Sequence, residues 1–379
     1  MKTISIYIHF PYCVSKCAYC DFASVACPRA DIPDLSEHYL RELRGWRAAT
    51  GERKISSVYF GGGTPSLMSA ASVFKIIEKI GRLWSFDSDA EITLEANPKT
   101  ISCAGMAALS KAGINRLSIG AQSLSDDALK LLGRAHGAAA ALRVVEDAKA
   151  VFANVNCDFI YGLPGQSADG WAEELSRIAS LGVPHLSLYQ LTLARGTPMW
   201  RYARAGIVKP AGEEILLRMF RYTNRRLRGT IPQYEISNYA KPGFESRHNI
   251  NYWTGGDYVG IGPAAAGRIS VPGGFLATKN PADAGEWKKS VFARKNRVFD
   301  KISPKERGIE AVISGLRMNR GIGFAEFEEN TGARFWDVAC KAAAEELARD
   351  KFVRLGASGI RALEKGRAVL DRVIEKIVK

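Results

Sequence analysis

Three cysteines near the start of the chain are the residues most able to do chemistry in this sequence. Cys13, Cys17 and Cys20 lie in HFPYCVSKCAYCDF, separated by three and then two residues. Thiolates are soft ligands that suit zinc or an iron-sulfur cluster, and three ligands instead of four leave one coordination position open. A structural zinc half-site is the alternative. No second cysteine pair with suitable spacing supports it, since the others are scattered and are expected to be core or incidental thiols: Cys27, Cys103, Cys157 and Cys340.

A glycine-rich turn and two polar residues follow hydrophobic runs farther along the chain. GGGTP at 61–65 comes directly after SSVYF, and glycines let backbone groups approach a ligand where a Cβ would clash. Glu95 closes the run EITLE, and Gln122 comes shortly after NRLSI. Taken singly, each residue could equally be a surface polar group or the cap of a strand.

Short β-rich runs alternate with amphipathic, helix-like segments over the first half of the chain. This alternation predicts a parallel α/β sheet, either open or curled into a barrel. The predicted strands are 4–8, 56–60, 91–95, 115–119, 155–160 and 185–191. The predicted helices between them are 36–47, 69–83, 102–111, 138–151 and 168–181.

The positions of the unusual residues favour the barrel. The cysteines, the glycine-rich turn, Glu95 and Gln122 lie at or just after the C-terminal ends of successive predicted strands. In a β/α barrel this is the face on which active sites are built. Six units make an incomplete (β/α)6 TIM-type barrel, with one side left open for a large substrate.

The pattern changes after residue 192. Residues 195–228 hold nine basic residues against two acids, and 234–267 is rich in glycine, asparagine and aromatic residues, which indicates a functional loop. Helices near 304–317 and 334–349, then the strands FVRL and IRAL and a final helix, predict a winged-helix-like domain. The predicted division is a barrel with the chemical site over 1–235, a connecting loop region over 236–300 and the winged-helix-like domain over 301–379.

Composition limits the class of protein. The chain has 379 residues, 46% hydrophobic and 24% charged, which excludes wholesale disorder and a collagen-like fibre. No apolar run approaches the ~18 residues of a membrane span, and no signal-peptide pattern is present, so we expect a soluble cytosolic protein. Lysine and arginine number 53 against 39 acidic residues, a formal charge of +14 that favours an anionic partner.

The cysteine spacing, with Tyr19 before the last cysteine, resembles that of the radical S-adenosyl-L-methionine (SAM) family. The resemblance implies that Cys13, Cys17 and Cys20 hold a 4Fe-4S cluster whose free iron chelates the amino and carboxylate groups of SAM. It also implies that the glycine-rich turn contacts the methionyl amino group, and that strand-end residues bind the ribose hydroxyls, the carboxylate and nearby polar atoms. The residues matched on this basis are Tyr7, Gly62, Gly63, Thr64, Glu95, Gln122, Arg134 and Asp158.

Within that family the chain resembles the group of oxygen-independent coproporphyrinogen III oxidase and its haem chaperone relatives. Phe22 stands where the oxidase has a further cysteine, the first strand begins at residue 4 without the oxidase's N-terminal extension, and HNINYW matches a chaperone signature. The resemblance implies that this motif handles haem, with imidazole as a possible iron ligand and aromatic faces to cover a porphyrin. Its candidates are His248, Asn249, Tyr252 and Trp253. The alternative is a histidine that only organises a loop.

The expected function is therefore that of a haem chaperone that binds a 4Fe-4S cluster, SAM and haem and delivers haem to acceptor proteins, with membrane-associated respiratory enzymes as one candidate class. The alternatives are the oxidase, which Phe22 disfavours, and a radical SAM methyltransferase. Ala266 replaces a histidine common in relatives, which removes one possible haem contact. No aromatic-interleaved basic motif supports nucleic-acid binding.

Overall fold

The computed structural model describes residues 3–293 and 298–379. Its strands are β1 (Thr3–Phe10), β2 (Tyr12–Cys13), β3 (Val25–Ala26), β4 (Lys54–Gly62), β5 (Ser85–Ala96), β6 (Arg116–Gln122), β7 (Asn154–Tyr161), β8 (His185–Gln190), β9 (Asn238–Ala240), β10 (Tyr258–Ile261), β11 (Ala266–Val271), β12 (Gly274–Lys279), β13 (Val298–Ile302), β14 (Ile322–Gly323), β15 (Val353–Leu355) and β16 (Gly359–Ala362). Its helices are α1 (Ser36–Thr50), α2 (Ala70–Leu83), α3 (Cys103–Lys111), α4 (Asp126–Leu131), α5 (Ala138–Val151), α6 (Ala168–Ala179), α7 (Pro198–Arg204), α8 (Glu213–Leu227), α9 (Arg247–Trp253), α10 (Ala284–Ala293), α11 (Pro304–Gly315), α12 (Phe324–Thr331), α13 (Phe335–Val338), α14 (Lys341–Arg349), α15 (Glu364–Arg367) and α16 (Leu370–Ile377), with 3-10 turns at Arg29–Asp31 and Pro65–Leu67.

Six parallel strands form the central sheet, in the order β1-β4-β5-β6-β7-β8. Each predicted strand and helix of the first half is present at its predicted place. These six strands belong to an 11-stranded sheet whose end strands are β13 and β9. The two end strands do not pair with each other, so the barrel is open. The predicted (β/α)6 partial barrel is confirmed.

Hydrophobic periodicity explains why the helices pack on this sheet. In α2 the buried residues Val73, Ile76, Ile77 and Ile80 recur with helical spacing, and Ser69 caps the helix by accepting from the Ser72 backbone N–H. Burying one such aliphatic side chain is worth about 1.5–3 kcal/mol. The strands are buried on both faces, as expected for a parallel sheet covered by helices.

The region 236–300, predicted as a connecting loop, is instead built largely of regular elements that extend the sheet. β9 pairs antiparallel with β8, while β10 lies parallel to β1 and leads into the antiparallel strands β11, β12 and β13. The glycines and asparagines that suggested a loop serve close contacts: a Cβ on Gly260 would lie 2.2 Å from the Ala266 carbonyl oxygen. The domain division itself stays a prediction.

A buried carboxylate ties this extension to the barrel. Glu42 of α1 accepts hydrogen bonds from the Gly262 backbone N–H (2.9 Å), Asn280 Nδ2 (2.7 Å) and Trp287 Nε1 (2.8 Å). A buried carboxylate with several donors is satisfied and fixes the elements that supply them. The strands after residue 257 are therefore part of the barrel's own structure.

The C-terminal part forms a second core, and its winged-helix-like character is confirmed. β14, β16 and β15 form a small antiparallel sheet against α11, α12, α13, α14 and α16. The predicted single helix over 334–349 is wrong: it is divided between α13 and α14, because Ala339 is extended and pairs with Val378. Within the described residues, no helix is both long and apolar enough to cross a membrane.

Candidate functional site

A cavity of about 500 Å³ opens at the C-terminal ends of the barrel strands. Most of the residues predicted from the sequence line it: Cys13, Cys17, Cys20, Gly62, Gly63, Thr64, Glu95, Gln122, Arg134, Asp158 and Asn249. Four predicted residues are not part of its lining, namely Tyr7, His248, Tyr252 and Trp253. The structure thus brings together the expected cluster residues and every expected SAM residue except Tyr7, and separates them from most of the expected haem residues.

The cysteine loop is fixed by contacts to the strand ends around it. Thr64 Oγ1 donates to Cys13 Sγ at 3.3 Å, and Arg134 Nη1 donates to Cys17 Sγ at 3.3 Å. The backbone N–H of Ala18 bonds to the Leu132 carbonyl at 3.0 Å. Burial raises the pKa of the Cys20 thiol. The thiols therefore face the cavity with donors already aimed at two of the three sulfur atoms.

The donor set of the cavity suits a polynuclear cluster. Within residues 3–293 and 298–379, no three His, Cys, Asp or Glu side chains converge on one point where a metal ion could sit. A zinc ion needs every thiolate sulfur within ~2.3 Å of one centre, whereas an iron-sulfur cluster binds each cysteine at a different iron. Three thiols spread around one cavity satisfy the second requirement.

The glycine-rich turn at the end of β4 packs against the backbone that precedes the cysteine loop. Gly62 has a positive φ of 109°, and a Cβ there would lie 2.8 Å from the Phe10 carbonyl oxygen. A Cβ on Gly63 would lie 2.5 Å from the Tyr12 carbonyl oxygen, which itself accepts from the Thr64 backbone N–H at 2.9 Å. Only glycine permits this approach, so the turn packs directly against the backbone that leads into Cys13.

Glu95 is the last residue but one of β5, and its carboxylate is directed at this turn. It accepts from Tyr59 Oη at 2.8 Å and from the Gly62 backbone N–H at 3.2 Å. Burial raises the pKa of Glu95 to about 7, although the two hydrogen bonds act in the opposite direction. The carboxyl group can therefore both accept from ligand hydroxyls and exchange a proton near neutral pH.

Gln122, Arg134 and Asp158 line the side of the cavity formed by β6 and β7. Gln122 has a positive φ of 69° at an irregularity in the β6–β7 register. Arg134 also donates to the Gly120 carbonyl at 2.7 Å, so it connects β6 with the cysteine loop. Asp158 accepts from Asn156 Nδ2 at 2.7 Å, and burial raises its pKa.

The HNINYW motif is not a loop but the helix α9, and it places its histidine inside the protein. His248 is 1% exposed; its Nδ1 lies 2.8 Å from Ser57 Oγ, and its Nε2 contacts the Tyr252 hydroxyl. Its ring stacks on Tyr59 with centroids 5.0 Å apart. Both ring nitrogens are engaged, so this conformation matches the organising role and leaves no nitrogen free for iron.

The remaining candidates are divided between different surroundings. The Tyr7 hydroxyl is hydrogen-bonded to His9 Nδ1 at 3.0 Å. The Tyr7 ring packs beside those of Tyr59 and His248, outside the cavity lining. Trp253 packs at the junction with the C-terminal domain, where the Arg317 guanidinium lies 6.0 Å from its ring centroid. Asn249 alone of the four motif residues lines the cavity.

Sequence reasoning missed several residues of the site, among them Arg116 and Tyr59. Arg116 is 2% exposed yet lines the cavity, and Tyr59 holds Glu95. The available signal was a charged residue at the start of the otherwise apolar strand RLSIG, and a tyrosine two residues before GGGTP. Neither pattern by itself distinguishes an inward from an outward side chain.

Comparisons with known proteins agree with this geometry. Residues 7–178 match the Radical SAM superfamily, and residues 302–369 match the HemN C-terminal domain. Heme chaperone HemW of Haemophilus influenzae is 35% identical over 99% of this chain and 98% of its own length. The chain belongs to the HemW family of radical SAM proteins.

Other relatives of this HemW-family protein cover the chain as fully. The mouse protein named radical S-adenosyl methionine domain-containing protein 1, mitochondrial, is 35% identical over 98% of this chain and 86% of its own length. The solved structure of coproporphyrinogen III oxidase (HemN) from Escherichia coli superposes with a TM-score of 0.79 at 22% identity, covering 99% of this chain and 90% of that chain. That likeness shows the fold, including the C-terminal domain.

The buried histidine of this HemW-family protein makes a pH prediction. Burial, and after it the positive field of Arg116, lowers the pKa of His248 to about 3. An unfolded chain binds this proton below about pH 6.5 while the folded one does not, so stability falls as the pH drops from there towards 3. We expect the free energy of unfolding of the wild type to fall more steeply than that of His248→Asn, by about 1.4 kcal/mol per pH unit. Urea unfolding of both proteins at several pH values between 6.5 and 4.5 measures this, and parallel curves would contradict it.

Proposed function

We propose that this protein is a haem chaperone of the radical SAM superfamily, which binds a 4Fe-4S cluster, SAM and haem and delivers haem to acceptor proteins. The observation that carries the proposal is the match to Heme chaperone HemW over nearly the whole of both chains, together with three cysteines on one barrel cavity. The match includes the C-terminal domain, so it extends beyond the radical SAM core.

The cluster and SAM assignments follow from the residues on the cavity wall. Cys13, Cys17 and Cys20 would bind three irons, and the fourth iron would take the amino and carboxylate groups of SAM. When bound, such a cluster supplies one electron to the sulfonium. The protein holds the ligands in place. The glycine-rich turn would bring backbone groups close to SAM, Glu95 would accept from the ribose hydroxyls, and Arg134 donates to Cys17 Sγ.

Haem handling is assigned to the mouth of the cavity. Phe22 lines the cavity and is 60% exposed, and Val14 and Val25 are exposed on the same part of the chain. Exposed apolar side chains beside a cavity suit the flat apolar face of a porphyrin, and exposed large apolar groups commonly mark binding sites. His248 would organise α9 below this surface, and Asn249 would face the ligand.

Haem titration tests the function. Haem added to anaerobic, cluster-reconstituted protein is expected to give a Soret band that saturates at a fixed stoichiometry. His248→Asn should keep that band, because the imidazole nitrogens are already engaged by Ser57 and Tyr252. Absence of the band in the wild type would contradict haem binding, and its loss in His248→Asn alone would show that the imidazole is an iron ligand.

The same preparation tests the competing activity. Coproporphyrinogen III with dithionite and SAM is expected to give no protoporphyrinogen, since Phe22 occupies the position of the oxidase's additional cysteine. Appearance of that product would replace the chaperone assignment, and methyl transfer to an acceptor would indicate a methyltransferase. Acceptor proteins in the cytosol or at membrane-associated respiratory enzymes remain proposed partners, which the basic helix α8 would attract if they are acidic.

A further inference from the structure

A buried arginine on the floor of the cavity has no hydrogen-bond partner among the residues that the structure describes. Arg116 begins β6 between Thr93 of β5 and Asn154 of β7, is 2% exposed and lines the cavity. A guanidinium carries five N–H donors. In the described part of the chain its side chain makes no hydrogen bond, and its buried Nε has no acceptor. Buried charged groups are normally both paired and hydrogen-bonded.

The carboxylate nearest to the Arg116 side chain, that of Glu91, accepts its hydrogen bonds from other residues. Glu91 Oε2 lies 3.9 Å from Arg116 Nε, which is beyond hydrogen-bond distance. The oxygens of Glu91 instead accept from Ser246 Oγ (3.3 Å) and from the backbone N–H groups of Arg247 (3.1 Å) and His248 (3.3 Å). Glu91 therefore caps the start of α9 and balances the charge of Arg116 only at longer range.

The rest of the floor does not supply a second counter-charge at bonding distance. Ser118, Asn156 and Asn249 are neutral polar residues that line the cavity with Arg116. Asp158 and Glu95 line it too. The oxygens of Asp158 accept from Asn156 Nδ2 at 2.7 Å and from Ser118 Oγ at 3.3 Å, and those of Glu95 accept from Tyr59 Oη at 2.8 Å and from the Gly62 backbone N–H at 3.2 Å. The floor thus presents to the cavity a guanidinium that makes no hydrogen bond within the described residues.

We propose that Arg116 anchors a subsite for an alkyl carboxylate at the floor of the cavity, separate from the residues assigned to the cluster and to SAM. A carboxylate matches the two parallel N–H groups of a guanidinium and supplies hydrogen bonds that Arg116 does not make to the described residues. The carboxylate can belong to a propionate arm that extends to the floor from a tetrapyrrole held at the mouth of the cavity, or to a free short-chain acid. The first source rests on the proposed haem function, and the second does not.

Haem and its dimethyl ester distinguish the carboxylate from the rest of the porphyrin. The wild type is expected to bind haem about tenfold or more tightly than the ester, and Arg116→Met should bind both with the weaker affinity. Arg201→Met is the matched control, because Arg201 is an exposed arginine on α7 outside the cavity. It should keep the wild-type preference. Should Arg116→Met fail to fold, Arg116→Lys keeps the charge without the two-pronged contact and should lose part of the preference.

A second measurement separates the two sources and keeps the subsite testable without haem. Sodium propionate, compared with sodium chloride at equal ionic strength, should raise the thermal unfolding midpoint of the wild type and of Arg201→Met but not of Arg116→Met. If propionate raises the unfolding midpoint but the wild type does not prefer haem over its dimethyl ester, the subsite binds a free acid. If the wild type binds no haem, the haem function fails, while the propionate result still decides the subsite.

Three results would overturn the subsite. The first is that the wild type and Arg116→Met each bind haem and its ester equally tightly, and that propionate does not raise the unfolding midpoint of either protein. Another is a propionate shift of the same size in Arg116→Met. The third is a tenfold loss of SAM affinity in Arg116→Met with the haem preference intact, which would assign the guanidinium to SAM.

Discussion

Replacing Cys17 by serine is expected to abolish the iron-sulfur chromophore near ~400 nm and to reduce bound iron and sulfide to background. Cys17 lines the cavity and accepts from Arg134 Nη1, so its sulfur is already directed at the proposed cluster site. A serine oxygen is a hard, poorly ionised ligand that does not replace a thiolate. Iron and sulfide analysis of protein purified and reconstituted anaerobically measures the effect. Cys13→Ser and Cys20→Ser should behave in the same way.

The matched control for that experiment is Cys103→Ser. Cys103 is exposed at the start of α3 and does not line the cavity, so its removal should leave iron, sulfide and absorbance at wild-type values. Full iron and sulfide in Cys17→Ser would show that the ligand assignment is wrong. Zinc bound to the anaerobically purified wild type would instead support the structural zinc half-site, and the SAM assignments would then lose their basis.

Replacing Asp257 by asparagine is expected to destabilise the protein by about 3–5 kcal/mol, because it leaves buried arginines without a counter-charge. Arg307 of α11 donates to Asp257 Oδ1 at 2.6 Å, and both side chains are almost fully buried. Arg53 also pairs with Asp257 and donates to the Ser270 carbonyl at 2.6 Å. One carboxylate thus joins the barrel, the strand extension and the first C-terminal helix.

A second ion pair between the same regions serves as the control. Arg268 of β11 and Glu310 of α11 lie 2.7 Å apart but are partly exposed, so Glu310→Ala should cost only about 0–1 kcal/mol. Urea unfolding of the two variants and the wild type at neutral pH gives the comparison. Equal effects of the two substitutions would contradict the claim that burial of the Asp257 pair is what matters.

Local sequence patterns predicted the barrel because each pattern has a local physical cause. Runs such as ISIYI and amphipathic stretches such as 69–83 reflect burial on a sheet and on one helical face, and the structure has β1 and α2 there. The same reasoning failed over 236–300. There β10 pairs with β1, about 250 residues earlier in the chain, and no local pattern encodes so distant a partner.

By itself the sequence determined the cysteine loop, the glycine-rich turn and the order of strand-end residues, because spacing within a few residues fixes which groups share a loop. Only the tertiary structure decided the surroundings of His248 and Arg116. From the sequence HNINYW, the histidine could bind any ligand. In the folded protein both of its ring nitrogens contact side chains, those of Ser57 and Tyr252. RLSIG shows an arginine in a strand, and only the fold buries it without a hydrogen bond to any described residue, because Glu91 accepts from the start of α9 instead. Whether a polar group is satisfied depends on neighbours brought from distant parts of the chain, and these are set by folding as a whole.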